Sequence, residues 1–568
     1  MHAKLTDLLI VCGLMLVASW FGVGDNQAPV DETSTYLVQA RDIATACAAV
    51  NDLGGIVLAE YEIIRAVEAQ LDSRQHRLML ALEGVRVFDN RTVRSSGKGG
   101  GPPGDEKEPD GSGPATESPV DTFYPSLVGA DRLHDEGITG LGITVAVVDT
   151  GYWSFKGLED DSTGRKRLVD VHVTTGQKSA FAWEDHSGHG THVSSVALSS
   201  GKNADGKFNG IAPDADFMVV KAFDENGAGT YSTVIAALDY LLEKKDYFGL
   251  RVVNLSFSAT PVSYYRDDPI AQAVMRLWQE GIVVVASAGN SGPGPMTVGV
   301  PGNVPYIVTV GAMTDNYTPG DSGDDYLATF SAAGPTHSGF VKPDLVAPGG
   351  HLLGLMEASW AKIAQEHPEY HDTKSHFQMS GTSQATAVVT GIVALLLQSD
   401  PTLTPDEVKY RLMAGSHRAE TPTGGLAYSV LQQGAGLVNA YDAVHCSASG
   451  AANPGLNVGL ELAGAEAYAG PVRRNPDGSY YIHGLSDEYT WDGRYQGSTG
   501  LIWSDALLWS DALLWSDGLI WSDGLVWSDA LIWSDAVLQS NALVWSDGVT
   551  FSRKLTEAAS TNAWVEQQ

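Results

Sequence analysis

The sequence predicts an α/β domain built on a parallel sheet with helices covering both faces. Three observations predict it. Apolar runs too uniform for one-sided strands recur at Ile143–Val148, Phe217–Val220, Val252–Leu255, Ile282–Ala286 and Ile307–Val310. Helical segments, such as Tyr231–Lys245 and Ile270–Glu280, lie between them. Polar residues, Asp149 and Asn290 among them, stand just past such runs, where open α/β sheets gather their functional groups.

The 568 residues exceed one ordinary domain, and an apolar fraction of 43% suffices for a packed core. Acidic residues outnumber basic ones by 68 to 35, a net charge of -33, which argues against nucleic acid or an anionic membrane as partner. The three cysteines, Cys12, Cys47 and Cys446, exclude a disulfide framework and cysteine-pair zinc sites. Lys4 followed by an apolar run from Leu8 to Val23 reads as a signal peptide over residues 1–24, a better fit than an uncleaved anchor on length. The expected location is therefore secreted or at the cell surface.

Residues 31–94 read as a small α+β domain in β-α-β-β-α-β order. Its strand-like runs are Thr35–Ala40, Ile56–Ala59, Glu62–Leu71 and Gly84–Asp89, with helices over Arg41–Leu53 and Gln75–Leu82. Residues 95–120 hold almost no large apolar side chain and predict a disordered, protease-accessible linker. The α/β region spans 121–446, and 447–500 connects it to a repeat at 501–552.

Asp149 ends VAVVD, and His189 lies in HSGHGTHV between two glycines at an apparent helix start. Neighbouring His186 and His192 read as structural, since one imidazole suffices for proton transfer. Ser383, in SGTSQATAVVTGIVALLLQ, opens a helix apolar nearly all round; there a hydroxyl and free backbone N–H groups stand together. Each residue alone reads as an ordinary turn or cap.

Together, VVDTG, HGTHV, SAGN and SGTS in that order closely resemble the subtilisin family, whose triad runs Asp, His, Ser. The resemblance extends to GIAPDA at 210–215, VVNLSFS at 252–258, FSAAGPT at 330–336 and KPDLVAPGG at 342–350. It implies a three-layer αβα fold and a secreted serine endopeptidase acting on proteins or peptides, with Asp149, His189 and Ser383 catalytic. It also implies Asn290 in the oxyanion hole, and Ser256, Phe257, Ser258 and Gly289 in substrate binding. Catalysis needs no cofactor, and residues 31–94 resemble an inhibitory propeptide by pattern, which implies a self-processed zymogen.

Some positions depart from the family. Ala387 stands where proline is usual after the serine, and Ser258 where glycine is common, narrowing the specificity pocket. Ser291 follows Asn290 where some relatives carry an acid, which favours apolar side chains before the cut bond. Residues 351–378 are longer than a minimal connection and read as a lid or rim. Asn203, Asp205 and Asn209 lie where many relatives bind structural calcium, and they equally fit an Asx-rich turn.

From Trp503 a six-residue unit repeats through Trp509, Trp515, Trp521, Trp527, Trp533, Gln539, Trp545 and Phe551, each followed by Ser-Asp or a near variant. An even period puts every tryptophan on one face of an extended chain, predicting a β-rich, stacked tail. Similar WSD-type tails occur on some bacterial subtilisin-like proteins. Three readings stay open: a cell-envelope or polysaccharide ligand for the tryptophans, calcium for the aspartates, or a stack that packs on itself. The competing function is a surface adhesion protein that displays this repeat on a peptidase scaffold.

Overall fold

The computed structural model describes residues 33–95, 120–319, 323–421, 425–485, 487–495 and 502–503. The apolar segment at 1–24, most of the expected linker and the repeat beyond Trp503 lie outside the described residues. The chain divides into two compact units, the first formed by residues up to Glu60 and by Ala66–Asp89, the second by Tyr61–Arg65 and everything from Asn90 onward.

The first unit has the expected β-α-β-β-α-β order: β1 (Ser34–Gln39), α1 (Ile43–Asp52), β2 (Ile56–Tyr61), β3 (Ala66–Leu71), α2 (Ser73–Met79) and β4 (Arg86–Asp89). Its sheet runs β2-β3-β1-β4, antiparallel where β1 meets β3 and β4. Val38, Val67, Ala69, Leu71, Ala46, Val50 and Met79 form the core between sheet and helices. Asp42 and Asp72 cap the helices through backbone N–H groups that would otherwise lack acceptors. The run Glu62–Leu71, expected as one strand, is broken: Glu62–Ile64 form a 3₁₀ turn and Arg65 is left-handed at φ 54°, so β3 starts at Ala66. Side-chain pattern does not report such a backbone reversal.

The second unit carries the α/β domain. Its principal strands are β6 (Thr144–Asp149), β7 (Leu168–Val173), β8 (Asp216–Lys221), β10 (Leu250–Leu255), β12 (Val283–Ser287), β13 (Val308–Thr314), β14 (Tyr326–Leu327) and β15 (Leu345–Pro348). They form one sheet in the order β14-β13-β12-β10-β6-β8-β7, with β15 also beside β13. Every pair is parallel except β13 with β14. β6, β12 and β13 are buried along their whole length, which is why they read as continuous apolar text.

The helices that matter for the site are α3 (His189–Leu198), α4 (Tyr231–Phe248), α5 (Pro269–Gln279) and α7 (Thr382–Ser399). α3 packs with α7 and α4 with α5, one pair to each face of a three-layer fold. Chain order reverses across β6, with β8 on one side and β10 on the other. Such a switch point opens a crevice at the strands' carboxyl ends, and Asp149 stands at its edge.

The KPDLVAPGG motif has a packing reason. Asp344, buried, sits 2.6 Å from Lys342 and 3.0 Å from Lys409, and accepts the Thr309 backbone N–H at 2.7 Å. Burial pushes the Lys342 ammonium down to about 7 even with Asp344 beside it. Asp344→Asn would remove the carboxylate that contacts both buried lysine side chains, and is expected to cost about 3–5 kcal/mol. Urea unfolding of a proteolytically silent background would show this as a lowered midpoint.

Residues 447–485 and 487–495, within the expected connection, carry secondary structure of their own. They form a hairpin of β19 (Val472–Arg474) and β20 (Tyr480–Ile482), and Glu461 is buried against the hydroxyls of Tyr265 and Tyr306 at 2.6 and 2.8 Å. The first repeat unit, β21 (Ile502–Trp503), pairs antiparallel with β18 (Ala419–Glu420).

Candidate active site

Asp149 Oδ1 accepts the Thr150 backbone N–H at 2.7 Å and lies 2.7 Å from His189 Nδ1, both side chains being buried. A carboxylate on Nδ1 sets the tautomer, leaving Nε2 as the basic nitrogen. His189 opens α3 directly after Gly188, which is left-handed at φ 95°. At Gly190 a Cβ would overlap the Gly151 carbonyl, so only glycine lets the helix start this close to the Asp149 loop.

Asp185, which sequence reasoning passed over, ties these parts together. Its carboxylate accepts from Thr150 Oγ1 at 2.7 Å, Gly188 N at 2.8 Å, and Thr191 N and Oγ1 at 2.7 Å each. It therefore fixes both the first turn of α3 and the loop behind Asp149. No local signal singles it out, since the N-cap position itself is Gly188. His192 is structural, as expected: Nε2 faces the carbonyls of Leu352 and Phe377 at 3.2 and 3.0 Å, and burial pushes the imidazole down to about 3.

Ser383 is the second residue of α7, and its Oγ donates to the Ser256 carbonyl at 3.1 Å. Ser256 Oγ returns a bond to the Ser383 carbonyl at 3.1 Å, and Asn254 binds both Ser256 Oγ and Thr390, each at 2.9 Å. These bonds lock the NLS motif to the serine helix. One residue past Ser383, Gln384 Nε2 lies 3.4 Å from His192 Nδ1, so the starts of α7 and α3 adjoin. Ala387 is fully buried within an uninterrupted α7, so the missing proline changes no local structure.

Asn290 Oδ1 accepts from Thr382 N at 2.9 Å and Thr382 Oγ1 at 2.8 Å. The amide oxygen is thus held by Thr382, which leaves the NH₂ end free of that contact, and Asn290 as a whole is half-buried. Thr382 is a second residue that motif reading missed; only the fold brings it to Asn290.

β11 (Phe257–Ser258) pairs with a strand from the chain's own N-terminal side, β5 (Thr92–Ser95), which pairs in turn with β9 (Ala228–Thr230). Arg94 stands opposite Ser258 and Ser95 opposite Phe257. Arg94 and Ser95 thus both belong to a strand, and of the expected linker, which starts at residue 95, Ser95 is ordered. They carry no apolar signal because flanking backbone holds them, including Gly227 O, which accepts Ser95 N–H at 2.8 Å.

The segment 351–378 forms a rim: strands β16 (Leu352–Leu355) and β17 (His376–Met379) flank α6 (Lys362–Glu366). The Lys362 and Ile363 N–H groups donate to the carbonyls of His186 and Ser187, just ahead of His189, and Lys362 Nζ reaches Asn226 at 2.6 Å.

The expected calcium residues do not fit a cation. Asn203 Oδ1 already accepts from Asp205 N and Lys207 N at 3.0 and 2.9 Å, its amide NH₂ donates to Asp121, and Asn209 bonds Thr122. The loop carries its own cation, Lys207, on Asp131 at 3.0 Å. This is the geometry of an Asx turn. Among the described residues no cluster of three or more His, Cys, Asp or Glu side chains is arranged to hold a metal.

Residues 140–436 match the Subtilase family model. The chain belongs to the subtilase family. This subtilase is 36% identical to Serine protease AprX of Bacillus subtilis over 54% of its own length and 67% of that protein's. It is 28% identical to Subtilisin DY of Bacillus licheniformis over 50% and 88%. In fold it is similar to fervidolysin from Fervidobacterium pennivorans, described as a keratinolytic enzyme related to subtilisin, with a TM-score of 0.55 at 22% identity, covering 75% of this chain and 63% of that one. The subtilase is a subtilisin-like serine peptidase, with proteins or peptides as its substrate class.

Proposed function

We propose that this subtilase is a secreted endopeptidase, made as a zymogen, in which Ser383 attacks the scissile carbonyl. His189 takes the serine proton and returns it to the leaving amine, while Asp149 holds the imidazole and stabilises its charged form. The buried 2.7 Å pair of Asp149 and His189, beside the helix that Ser383 opens, is the observation that carries the reading. The Asn290 NH₂ group and the Ser383 backbone N–H receive the oxyanion. A scaffold that only displays the repeat would need none of this arrangement.

A fluorophosphonate probe tests the reading: covalent labelling of Ser383 in the propeptide-free enzyme supports it, and silence sinks it. Asn290→Ala is expected to lower kcat by about 10²–10³, the cost known for the equivalent donor in subtilisin. Near-parental turnover in that variant would remove Asn290 from the oxyanion hole.

β5 supports latency. It fills the strand position beside β11, as a substrate would by β-augmentation. Asn90 anchors its near end through Ser232, and Arg91 through Tyr231 at 2.8 Å and Asp268 at 3.5 Å. Ser95, the last residue of β5, stands opposite Phe257, next to Ser256, whose carbonyl accepts Ser383 Oγ at 3.1 Å. The bond expected to break lies within the linker that follows. N-terminal sequencing of the secreted enzyme should find a start within residues 96–120, and the Ser383→Ala chain should stay joined. A mature chain beginning near residue 25 would overturn the zymogen reading.

A further inference from the structure

The strand that ends in Asp149 has a buried cation beside it that the reaction steps above do not use. Lys221 ends β8 in register with Asp149 at the end of β6. In-register residues of neighbouring parallel strands share a face, so the two side chains leave the sheet together, their strands about 5 Å apart. Lys221 is 1% exposed. Its stem passes Gly151, where an added Cβ would come within 3.3 Å of Lys221 Cδ. Its ammonium donates to the Glu184 carbonyl at 2.6 Å.

That carbonyl belongs to the peptide leading into Asp185. The Asp185 carboxylate accepts from Thr150 Oγ1, next to Asp149, and from Gly188 N and Thr191 N, on either side of His189. Thr150 Oγ1 closes the ring by accepting from Gly190 N at 2.8 Å. Bonds thus run from the ammonium to the backbone around both Asp149 and His189. Charge follows the same route. Burial pushes the Lys221 ammonium down, while Asp185, Glu225, Asp224 and Glu184 hold it up. An imidazolium forming at His189 faces Asp149 and, one turn along α3, His192. A fixed ammonium in this buried group opposes that imidazolium, because unit charges act over several ångströms where water is excluded.

We propose that Lys221 is a positioning residue for the triad. It fixes the Glu184–Asp185 peptide that seats His189, and its charge keeps the resting imidazole neutral and ready to act as base. The proposal rests on the endopeptidase reading above.

The test follows the rate of fluorophosphonate labelling of the propeptide-free enzyme from about pH 5 to 9, across the range where an imidazole titrates. This readout needs no knowledge of the preferred peptide. Lys221→Met should lower the plateau rate by about 10–100-fold, the cost of a small displacement of a catalytic group. It should also move the acid limb upward by about half a pH unit, because an imidazolium relieved of a nearby positive charge keeps its proton longer. Lys221→Gln, which keeps a donor, should show that shift with a smaller loss of rate, so the result does not hang on the Met variant folding. Lys221→Arg, which keeps the charge, should leave the limb in place. Neutral variants whose limb stays at the native pH overturn the proposal, whatever their rate, and leave the peptidase reading standing. So does an Arg variant shifted as far as the neutral ones. A native enzyme that never labels sinks both.

Discussion

Replacing Ser383 by alanine is expected to lower kcat by about 10⁶-fold, the loss established for the same change in subtilisin itself. The size follows from what is removed. Without Oγ no acyl-enzyme forms, so His189 has no proton to take and the pair it makes with Asp149 does no work. What remains is rate enhancement from the oxyanion donors and from binding, about 10³–10⁴ over water. The substitution should leave the fold intact, because α7 is buried along most of its length and is held by its apolar side chains rather than by the Ser383 hydroxyl. The measurement is casein hydrolysis by protein of unchanged circular dichroism. Turnover at the parental rate would remove Ser383 from the mechanism.

Asp149→Asn is expected to cost about 10⁴-fold in kcat, the scale seen when the triad carboxylate becomes an amide. Asp149 Oδ1 faces two N–H groups at once, Thr150 N and His189 Nδ1. An amide can turn its oxygen to both and lose the charge that stabilises the imidazolium. Alternatively it turns its NH₂ toward His189, forcing the proton onto Nε2 and removing the base. Both arrangements fail the chemistry while preserving shape. A variant that folds normally, reacts slowly with fluorophosphonate and shows the loss in kcat rather than KM fits this account. A drop in KM-limited binding with kcat unchanged would contradict it.

The legible and illegible parts of this protein divide along physical lines. Strands β6, β10 and β12 were visible because burial on both faces demands continuous apolar text. The serine helix was visible because it is buried all round, and the first unit because its periods of two and 3.6 alternate cleanly. Asp149, His189, Asn290 and Ser383 stood out only as a set, since each alone satisfies the statistics of a turn or a cap. Side-chain pattern carries these features directly.

Ser95, the end of β5, reads as linker because its order comes from the backbone of β11 and Gly227, which no side chain there announces. The calcium residues looked suitable because Asx turns and cation loops use the same oxygens; only the partners of Asn203 decide between them. Asp185 and Thr382 act through contacts formed after folding.

The sequence by itself determined the layered α/β class and the family, and it singled out the four residues proposed for the site, because burial and local motif chemistry are written in residue types. The tertiary structure alone decided the sheet order, the bond from Thr382 to the Asn290 amide oxygen and the strand lying beside β11. Those depend on which distant segments meet, and pairing between distant backbones leaves no local trace in a chain.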